Sequence, residues 1–352
     1  MTAEIDPLGE VIVGVDSHAD QHTAVAVNGL GQVQDTIQVP ATTAGYRQLD
    51  VWAREMGRFE RAGVEGCGCY GAGLARHLDE AGIEVIEVDR PNRQRRRRRG
   101  KSDPTDAENA ARAVLAGDAT TIPKVSTGKV EAVRVLHIAR RSAVKAKTQA
   151  ANQIKDLVVT APEPIRRQLK DRSTRQRVRI CAAWRPGAVH DPTSATRRAL
   201  HDLARRWLDL HAQAKALEAD LARLLGELAP RLLAETGVGT DVAAALIIAV
   251  GENPGRLRSE ASFAAMCGAS PVDASSGKQQ HHRLNRGGNR QANSALYTVA
   301  LVRTRHCPET RAYIERRRAE GKTDRSIRRC LKRALARRFH HIIRAELAPA
   351  LT

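Results

Sequence analysis

The sequence contains few aromatic residues and no long apolar run. Aromatic residues make up 3% of the 352 residues, so binding of single-stranded nucleic acid mainly by stacking on aromatic rings is not favoured. No uninterrupted run of about eighteen apolar residues could cross a bilayer, and the N-terminus lacks the charged-then-apolar pattern of a signal peptide. We therefore expect a cytoplasmic protein without a membrane partner.

Cysteines are also few, and their spacing does not indicate a structural metal site. Six cysteines are scattered along the chain, which favours reduced thiols over a disulfide framework. Cys67 and Cys69 form a single C-x-C pair, and no second pair of cysteines or histidines lies at zinc-finger spacing. A structural zinc ion is therefore not expected.

Acidic residues are the minority among the charged residues. Lys and Arg number 58 against 39 Asp and Glu, which gives a formal net charge of +19. Such an excess indicates nucleic acid as the partner, with an anionic membrane surface as the weaker alternative. Because 42% of the residues are hydrophobic, the chain can bury two or three cores.

The first part of the chain has the pattern of a mixed sheet flanked by helices. Residues 11–16 form a continuous apolar run that ends at Asp16, as a strand buried on both faces would. Apolar residues at strand and helix spacing then predict strands at 22–28, 33–39, 62–66 and 83–88 and helices at 42–56 and 71–82. The predicted strand at 62–66 contains a second acid, Glu65. We expect an α/β domain.

A second acidic pair follows the arginine run at 95–99. Asp103 and Asp106 lie three residues apart at a predicted helix start, with Pro104 between them, and would share one face of that helix. Carboxylates beside clustered cations indicate a metal ion next to phosphate. The alternative is that both acids only stabilise the helix, Asp103 as its N-cap and Asp106 in its first turn.

Two long helices are predicted downstream. Residues 126–158 form a basic amphipathic pattern, and we expect this helix to pack on the sheet and to turn its charged face towards phosphate. A heptad row of apolar residues follows, formed by Leu203, Trp207, Leu210, Ala214, Leu217, Leu221, Leu224 and Leu228. This row predicts either a hairpin with the first helix or a coiled coil between two chains.

The C-terminal part contains a polar loop between cations. Residues 268–278 end in Ser275-Ser276-Gly277-Lys278, and a basic stretch at 281–290 precedes a predicted helix at 291–303. His281 and His282 in this stretch are either proton donors or bystanders.

These two constellations together resemble a family of insertion-sequence transposases, the bridge-RNA-guided DNA recombinases. That family pairs a RuvC-like domain of the ribonuclease H-like fold, with a D-E-D-D carboxylate set, and a mainly helical C-terminal transposase domain bearing a serine. The resemblance spans nearly the whole chain, and its motifs are Asp16, Glu65, Asp103 and Asp106 at one end and Ser276-Gly277 with 283–290 at the other. Residues 291–294 depart from it, because they are polar where other members are arginine-rich.

The resemblance implies a site and a reaction. The first and fourth strands would be neighbours, so that Asp16, Glu65, Asp103 and Asp106 bind Mg²⁺, which takes oxygen ligands and offsets the repulsion between carboxylates. Ser276 would be the nucleophile that forms a phosphoserine link to DNA, with Ser275 as its adjacent competitor. A serine hydroxyl needs a base or a metal ion, which the carboxylate-bound Mg²⁺ would supply if the two domains meet at one phosphate.

The resemblance also implies partners, namely donor and target DNA, a structured guide RNA encoded by the element, and further copies of the chain in a dimer or tetramer. Arg283, Arg286 and Arg290 would either neutralise the phosphate in the transition state or only hold the backbone. The predicted nucleic-acid-binding residues are Arg95, Arg96, Arg97, Arg98, Arg99, Lys101, Lys278, Arg283, Arg286 and Arg290.

Three domains are predicted, a RuvC-like metal-binding domain at 9–158, a helical linker with coiled coil at 159–235, and a transposase domain at 236–345. The predicted function is that of a DNA transposase or site-specific recombinase. Two alternatives remain at this point. One is a RuvC-type nuclease that hydrolyses DNA with water, and the other is a non-catalytic nucleic-acid-binding protein.

Overall fold

The computed structural model describes residues 9–88, 102–125, 127–276, 282–285 and 287–348. The chain forms two compact units, Met1–Val125 and Ser126–Thr352. Within the described residues, every helix is too short or too polar to cross a membrane.

The first unit is built on one five-stranded mixed sheet with the order β3-β2-β1-β4-β5. β1 pairs with β2 and β2 with β3 in antiparallel fashion, whereas β1 with β4 and β4 with β5 are parallel. The elements are β1 (Glu10–Ser17), β2 (Gln21–Asn28), β3 (Val33–Pro40), α1 (Thr43–Glu55), β4 (Arg58–Val64), α2 (Ala72–Glu80), β5 (Glu84–Glu87) and α3 (Asp103–Leu115). The predicted mixed sheet with flanking helices is confirmed.

The central strand β1 is apolar on both sides because helices cover both faces of the sheet. Val11, Val13 and Val15 belong to a core shared with α1 and α2. Ile12 belongs to a second core, which contains the buried alanines of α3. Alternate residues of a strand point to opposite faces, so Gly14 and Asp16 lie on the same face as Ile12, towards α3.

The fourth strand differs from the sequence prediction at both ends. It was expected at 62–66, but β4 begins at Arg58 and ends at Val64. Its first half alternates between exposed charged residues and a buried Phe59, and this alternation with charged residues hid the strand in a search for apolar residues. Glu65 is the first residue after the strand.

The second unit is mainly helical, as predicted. Its elements are α4 (Lys129–Thr160), α5 (Glu163–Leu169), α6 (Thr174–Ala182), α7 (Pro192–Leu228), α8 (Pro230–Leu233), α9 (Thr240–Val250), a 3₁₀ turn (Pro254–Arg256), α10 (Glu260–Met266), β6 (Pro271–Asp273), β7 (His282–Leu284), α11 (Arg290–His306), α12 (Pro308–Ala319) and α13 (Asp324–Leu347). The buried helix α9 lies in a core with residues of α7, α10, α11 and α13. The predicted domain boundaries at 158/159 and 235/236 stay a prediction.

The long helix α4 belongs to the second unit, and its expected packing on the sheet stays a prediction. Most of its buried residues belong to cores of the second unit, where it lies along α7 as the partner in a helical hairpin. Of the two arrangements predicted for the heptad row, the structure contains the hairpin within one chain. A coiled coil between two chains stays a prediction.

The buried line of α7 is offset from the predicted heptad row. It runs through Leu200, Ala204, Trp207, Ala214, Leu221 and Leu225. Two positions on this side of the helix are polar, which is why the apolar pattern indicated a neighbouring row. His211 Nδ1 lies 3.4 Å from Lys147 Nζ, and Glu218 Oε2 accepts a hydrogen bond of 2.9 Å from Arg140 Nη2, so both polar residues bind cations of α4.

Candidate functional site

Two glycines allow α3 to lie directly on the sheet. Gly14 of β1 and Gly63 of β4 are partners in the strand register. A Cβ atom on Gly14 would lie 2.0 Å from the carbonyl oxygen of Ala107 in α3 and 2.3 Å from the amide nitrogen of Ala111. A Cβ atom on Gly63 would lie 2.8 Å from the carbonyl oxygen of Ala110. The absence of both side chains therefore sets the distance between α3 and the sheet.

This close approach brings the first turn of α3 to the end of β1. Asp16 is the penultimate residue of β1 and has only 8% of its surface exposed. Asp103 is the first residue of α3, and Asp106, with 3% exposed, lies in its first turn. The N-cap of α3 is Ser102, so Asp103 does not have the N-cap role of the alternative interpretation.

The acids interact electrostatically. Burial raises the pKa of Asp16 above its ordinary value of 3.8, and the negative charges of Asp103 and Asp106 raise it further. The neighbouring His18 acts in the opposite direction. Three carboxyl groups from two elements therefore share one small volume, where Asp103 and Asp106 make ionisation of Asp16 less favourable.

The imidazole of His18 forms a compact group with Asp16 and Asp103. Its Nε2 atom lies 3.3 Å from Oδ2 of Asp16 and 3.6 Å from Oδ1 of Asp103. Within the described part of the chain, these three residues form a group whose possible ligand atoms all lie within 4.8 Å of one another. His18 was not among the residues singled out from the sequence. The signal was its position two residues after Asp16, because residues i and i+2 of an extended chain point the same way.

Glu65 directly follows the neighbouring strand β4 and lies next to the end of β1. Its backbone nitrogen donates a hydrogen bond of 3.0 Å to the carbonyl oxygen of Val15, and its carbonyl oxygen accepts one of 2.6 Å from Oγ of Ser17. Glu65 follows Gly63 by two residues, so its position in the register is on the α3 side of the sheet. Glu65 and Asp106 adjoin the compact group without belonging to it.

The donor set fits a divalent cation. A buried carboxylate with two further acids beside it is unfavourable unless a positive charge is nearby, which a bound cation would supply. Carboxylate oxygens are the ligands that Mg²⁺ takes, and a centre with an imidazole also suits other divalent metals. Asp16, Glu65, Asp103 and Asp106 are the residues that would hold the ion.

The predicted nucleophile lies on a small hairpin of the second unit. β6 and β7 pair in antiparallel fashion over three residues each, with Asp273 opposite His282. Ser276 lies in the segment between the two strands and is exposed to solvent. The neighbouring Ser275 donates hydrogen bonds from its backbone nitrogen and its hydroxyl to Oδ1 of Asp273, and these bonds lower the pKa of Asp273. Ser275 thus has a local structural role in the turn.

The base of this hairpin is held by an amide side chain of α11. Nδ2 of Asn293 donates hydrogen bonds of 2.7 Å to the carbonyl oxygen of Cys267 and 3.1 Å to that of Gly268. Oδ1 of Asn293 accepts a hydrogen bond of 2.8 Å from Nζ of Lys332, whose pKa burial lowers. The polar stretch 291–294, which sequence reasoning left out of the site, therefore contains a residue that supports the serine hairpin.

Several predicted nucleic-acid contacts lie outside the described residues, namely Arg95 to Arg99, Lys101, Lys278 and Arg286. His281, which was predicted as either a proton donor or a bystander, lies outside them as well. Arg283 lies in β7, and Arg290 is the first residue of α11, where Asn289 is the N-cap. Both arginines are exposed, and His282 Nδ1 lies 4.0 Å from Oδ1 of Asp273.

Comparison with known families connects both regions to one group of proteins. The DEDD-type model of the IS110 group, described as "Transposase", matches residues 13–161, which include all four predicted metal ligands. The model described as "Transposase IS116/IS110/IS902 family" matches residues 229–315, which include Ser276, Arg283 and Arg290.

One relative from Streptomyces coelicolor (strain ATCC BAA-471 / A3(2) / M145) matches in part. It is named "Insertion element IS110 uncharacterized 43.6 kDa protein" and is 38% identical over 117 residues. The match covers 32% of this chain and 29% of the relative.

Proposed function

We propose that this chain, which matches two transposase family models at residues 13–161 and 229–315, is a DNA transposase that cuts and rejoins DNA. The observation that carries the proposal is the buried Asp16 on a central strand, with Asp103 and Asp106 held beside it by the packing of α3. A structural carboxylate gains nothing from burial next to two other acids, whereas a metal-binding carboxylate does.

The first part of the proposed mechanism concerns the carboxylates. Asp16, Glu65, Asp103 and Asp106 would hold Mg²⁺, and the ion would supply positive charge at the scissile phosphate and lower the pKa of the attacking oxygen. Because Asp16 and Asp103 belong to packed elements, the backbone positions of both residues are set before the substrate arrives. This preorganisation removes the free-energy cost of collecting the ligands during the reaction.

The second part concerns Ser276. Its Oγ attacks a DNA phosphorus atom and gives up its proton, an oxygen–phosphorus bond forms, and the bond from phosphorus to a deoxyribose oxygen breaks as that oxygen takes up a proton. The reverse reaction with a second DNA end restores the serine, so joining needs no ATP. The exposure of Ser276 supports this role, since a DNA backbone can reach the hydroxyl. Arg283 and Arg290 are exposed cations for the phosphate charge.

The proposed partners are donor and target DNA, a structured guide RNA, and further copies of the chain in a dimer or tetramer. The net charge of +19 supports a polyanionic partner. An RNA guide would determine the target by base pairing, so that the protein needs to bind only the shape and backbone of the nucleic acid.

A second candidate is hydrolysis of DNA by water at the carboxylate site, as in a RuvC-type nuclease. It is favoured by the match of the DEDD model to the segment that contains all four acids. Under this alternative Ser276 has only a structural role in its loop.

A denaturing gel with end-labelled DNA separates the two. If the protein is a transposase, the wild type should form a covalent protein–DNA adduct. The adduct should be absent in Ser276→Ala and present in Ser275→Ala. If Ser276→Ala still cleaves DNA at the wild-type rate and no adduct forms with the wild type, hydrolysis is the activity.

The carboxylates are tested in the same assay. We expect Asp16→Asn to reduce cleavage at least about 100-fold, because the loss of a group that stabilises the charged transition state has this magnitude. The matched control is Asp20→Asn, which changes an exposed acid four residues away. If the wild type and both variants bind DNA equally and none of them cleaves it with or without Mg²⁺, the protein binds nucleic acid without catalysis.

A further inference from the structure

His18 lies beside the acids at the end of β1 and the start of α3, a region that we call the carboxylate edge (Asp16, Glu65, Asp103 and Asp106). The D-E-D-D set assigns no role to this histidine. It follows β1 directly, half of its side chain is exposed, and its ring reaches one acid of the sheet and one of α3. An exposed histidine that needed only solvent would not have to turn its Nε2 atom between two carboxylates.

The distances agree with a shared metal ion. Two ligand atoms at about 2.1 Å from one ion lie about 3.0 Å apart at a right angle and about 3.4 Å apart at the tetrahedral angle. The Nε2 atom of His18 lies 3.3 Å from Oδ2 of Asp16 and 3.6 Å from Oδ1 of Asp103. Both distances from Nε2 therefore lie within a few tenths of an ångström of the separation between two ligands of one ion.

The position of Asp16 makes the group a built site. Only 8% of the surface of Asp16 is exposed, and the close approach of α3 at Gly14 brings Asp103 beside it. The half-exposed ring of His18 then forms the outer side of the group, where an ion can enter from solvent.

We propose that His18 is a metal ligand through Nε2, in addition to the carboxylates, and that it gives the centre a preference for Mn²⁺ and related first-row divalent ions over Mg²⁺. This inference rests on the proposed metal centre. The preference is expected because Mg²⁺ takes oxygen ligands and keeps much of its water, whereas imidazole nitrogen is a favourable ligand for the later divalent metals.

The test measures binding of Mn²⁺ and of Mg²⁺ to the full chain by calorimetry, for the wild type and for His18→Gln. Glutamine presents an amide oxygen near the position of Nε2, so the variant exchanges a nitrogen ligand for an oxygen. We expect Mn²⁺ affinity to fall about 10-fold or more while Mg²⁺ affinity changes less than about 3-fold, since removal of a group that supports a metal centre costs about 10–100-fold. The control, His190→Gln, removes an exposed imidazole of the second unit and should change neither affinity.

Pulsed electron paramagnetic resonance of bound Mn²⁺ adds a readout that does not depend on affinity. A coordinated imidazole produces ¹⁴N modulation, which we expect in the wild type and in His190→Gln but not in His18→Gln. Circular dichroism of each variant verifies that it is folded.

The outcomes separate this inference from the proposed function. Mn²⁺ that binds the wild type without ¹⁴N modulation, or Mg²⁺ affinity that rises in His18→Gln, means that His18 is only an ion-pair partner of the acids; the inference is then wrong and the metal centre stands. If neither ion binds the wild type and Asp16→Asn leaves DNA cleavage unchanged, both the inference and the metal centre are wrong.

Discussion

The carboxylates of the first unit lie on a buried strand and on a helix packed against it, whereas Ser276 lies on an exposed segment between two three-residue strands. The first region is fixed by backbone contacts that leave no room for a methyl group at Gly14. The second is held at its base by the side chain of Asn293.

This difference in packing and exposure indicates how each region can contribute to a reaction. Ligands of a metal ion must lie within a few tenths of an ångström of their positions, and only packed elements provide that precision. A nucleophile that has to reach a large substrate needs exposure instead, and a short hairpin provides it. The following predictions test this comparison, beginning with the largest expected effect.

The contact between α3 and the sheet should tolerate no added atom at Gly14. Gly14→Ala places a Cβ atom 2.0 Å from a carbonyl oxygen and 2.3 Å from an amide nitrogen of α3. Backbone must then move, and we expect the free energy of unfolding to fall by about 3 kcal/mol, the upper end for overpacking. Urea denaturation measures it.

The matched control for this change is Gly68→Ala in the same unit, where an added Cβ meets no atom within 4 Å. It should change the free energy of unfolding by less than about 0.5 kcal/mol. If the free energy of unfolding changes by a similarly small amount in both variants, close packing of α3 on the sheet does not set the positions of the acids.

The hydrogen bonds of Asn293 at the base of the β6–β7 hairpin should contribute less to the free energy of unfolding than the packing at Gly14 does. Their contribution should still be measurable. Asn293→Ala removes two hydrogen bonds to backbone carbonyls and one from the half-buried Lys332. We expect the free energy of unfolding to fall by about 2 kcal/mol, because buried partners are left unpaired. Gln291→Ala, at an exposed position of the same helix, is the control and should change it by less than about 0.5 kcal/mol. If Asn293→Ala is as mild as the control, the amide does not hold the hairpin.

The opposite face of the sheet should respond to pH through His22. This residue is fully buried in β2 and stacks on Tyr46, with ring centres 5.7 Å apart. Burial lowers the pKa of His22 below its ordinary value of 6.5, so the folded chain binds fewer protons here than the unfolded chain. The stability that the neutral ring contributes is therefore complete above about pH 6.5 and is lost as the pH falls below that value.

The measurement compares the free energy of unfolding at about pH 7.5 and about pH 5.5 for the wild type and His22→Phe. We expect the wild type to lose about 1 kcal/mol more than the variant over this interval. The exposed His190→Gln should retain the wild-type loss. Equal losses in the wild type and His22→Phe would show that the ring does not titrate differently in the folded chain.

The smallest effect on stability is expected at the nucleophile itself. Ser276→Ala removes an exposed hydroxyl, so the free energy of unfolding should change by less than about 0.5 kcal/mol, measured by urea denaturation. A loss above about 1 kcal/mol would mean that Ser276 is a structural residue of the hairpin and would remove the contrast with the carboxylate edge.

Local patterns predicted the elements that carry the site. The apolar run before Asp16, the alternation in β2 and β3, and the helix start at Asp103 all appear in the structure close to their predicted places. Each depends on residues near in sequence, which is why periodicity and turn residues were sufficient. The second acid was harder, because charged residues at exposed positions of β4 concealed the strand before Glu65.

The sequence by itself determined the mixed sheet, the helical second half, the basic surface charge and the order of the acids along the chain. Tertiary structure alone decided that Gly14 and Gly63 admit α3, that His18 joins Asp16 and Asp103, and that α4 lies along α7. The physical reason is that secondary structure follows from interactions between neighbouring residues, whereas these three features are contacts between distant elements. Such contacts depend on the space that packing leaves, and one missing Cβ atom can set that space without leaving a pattern in the sequence.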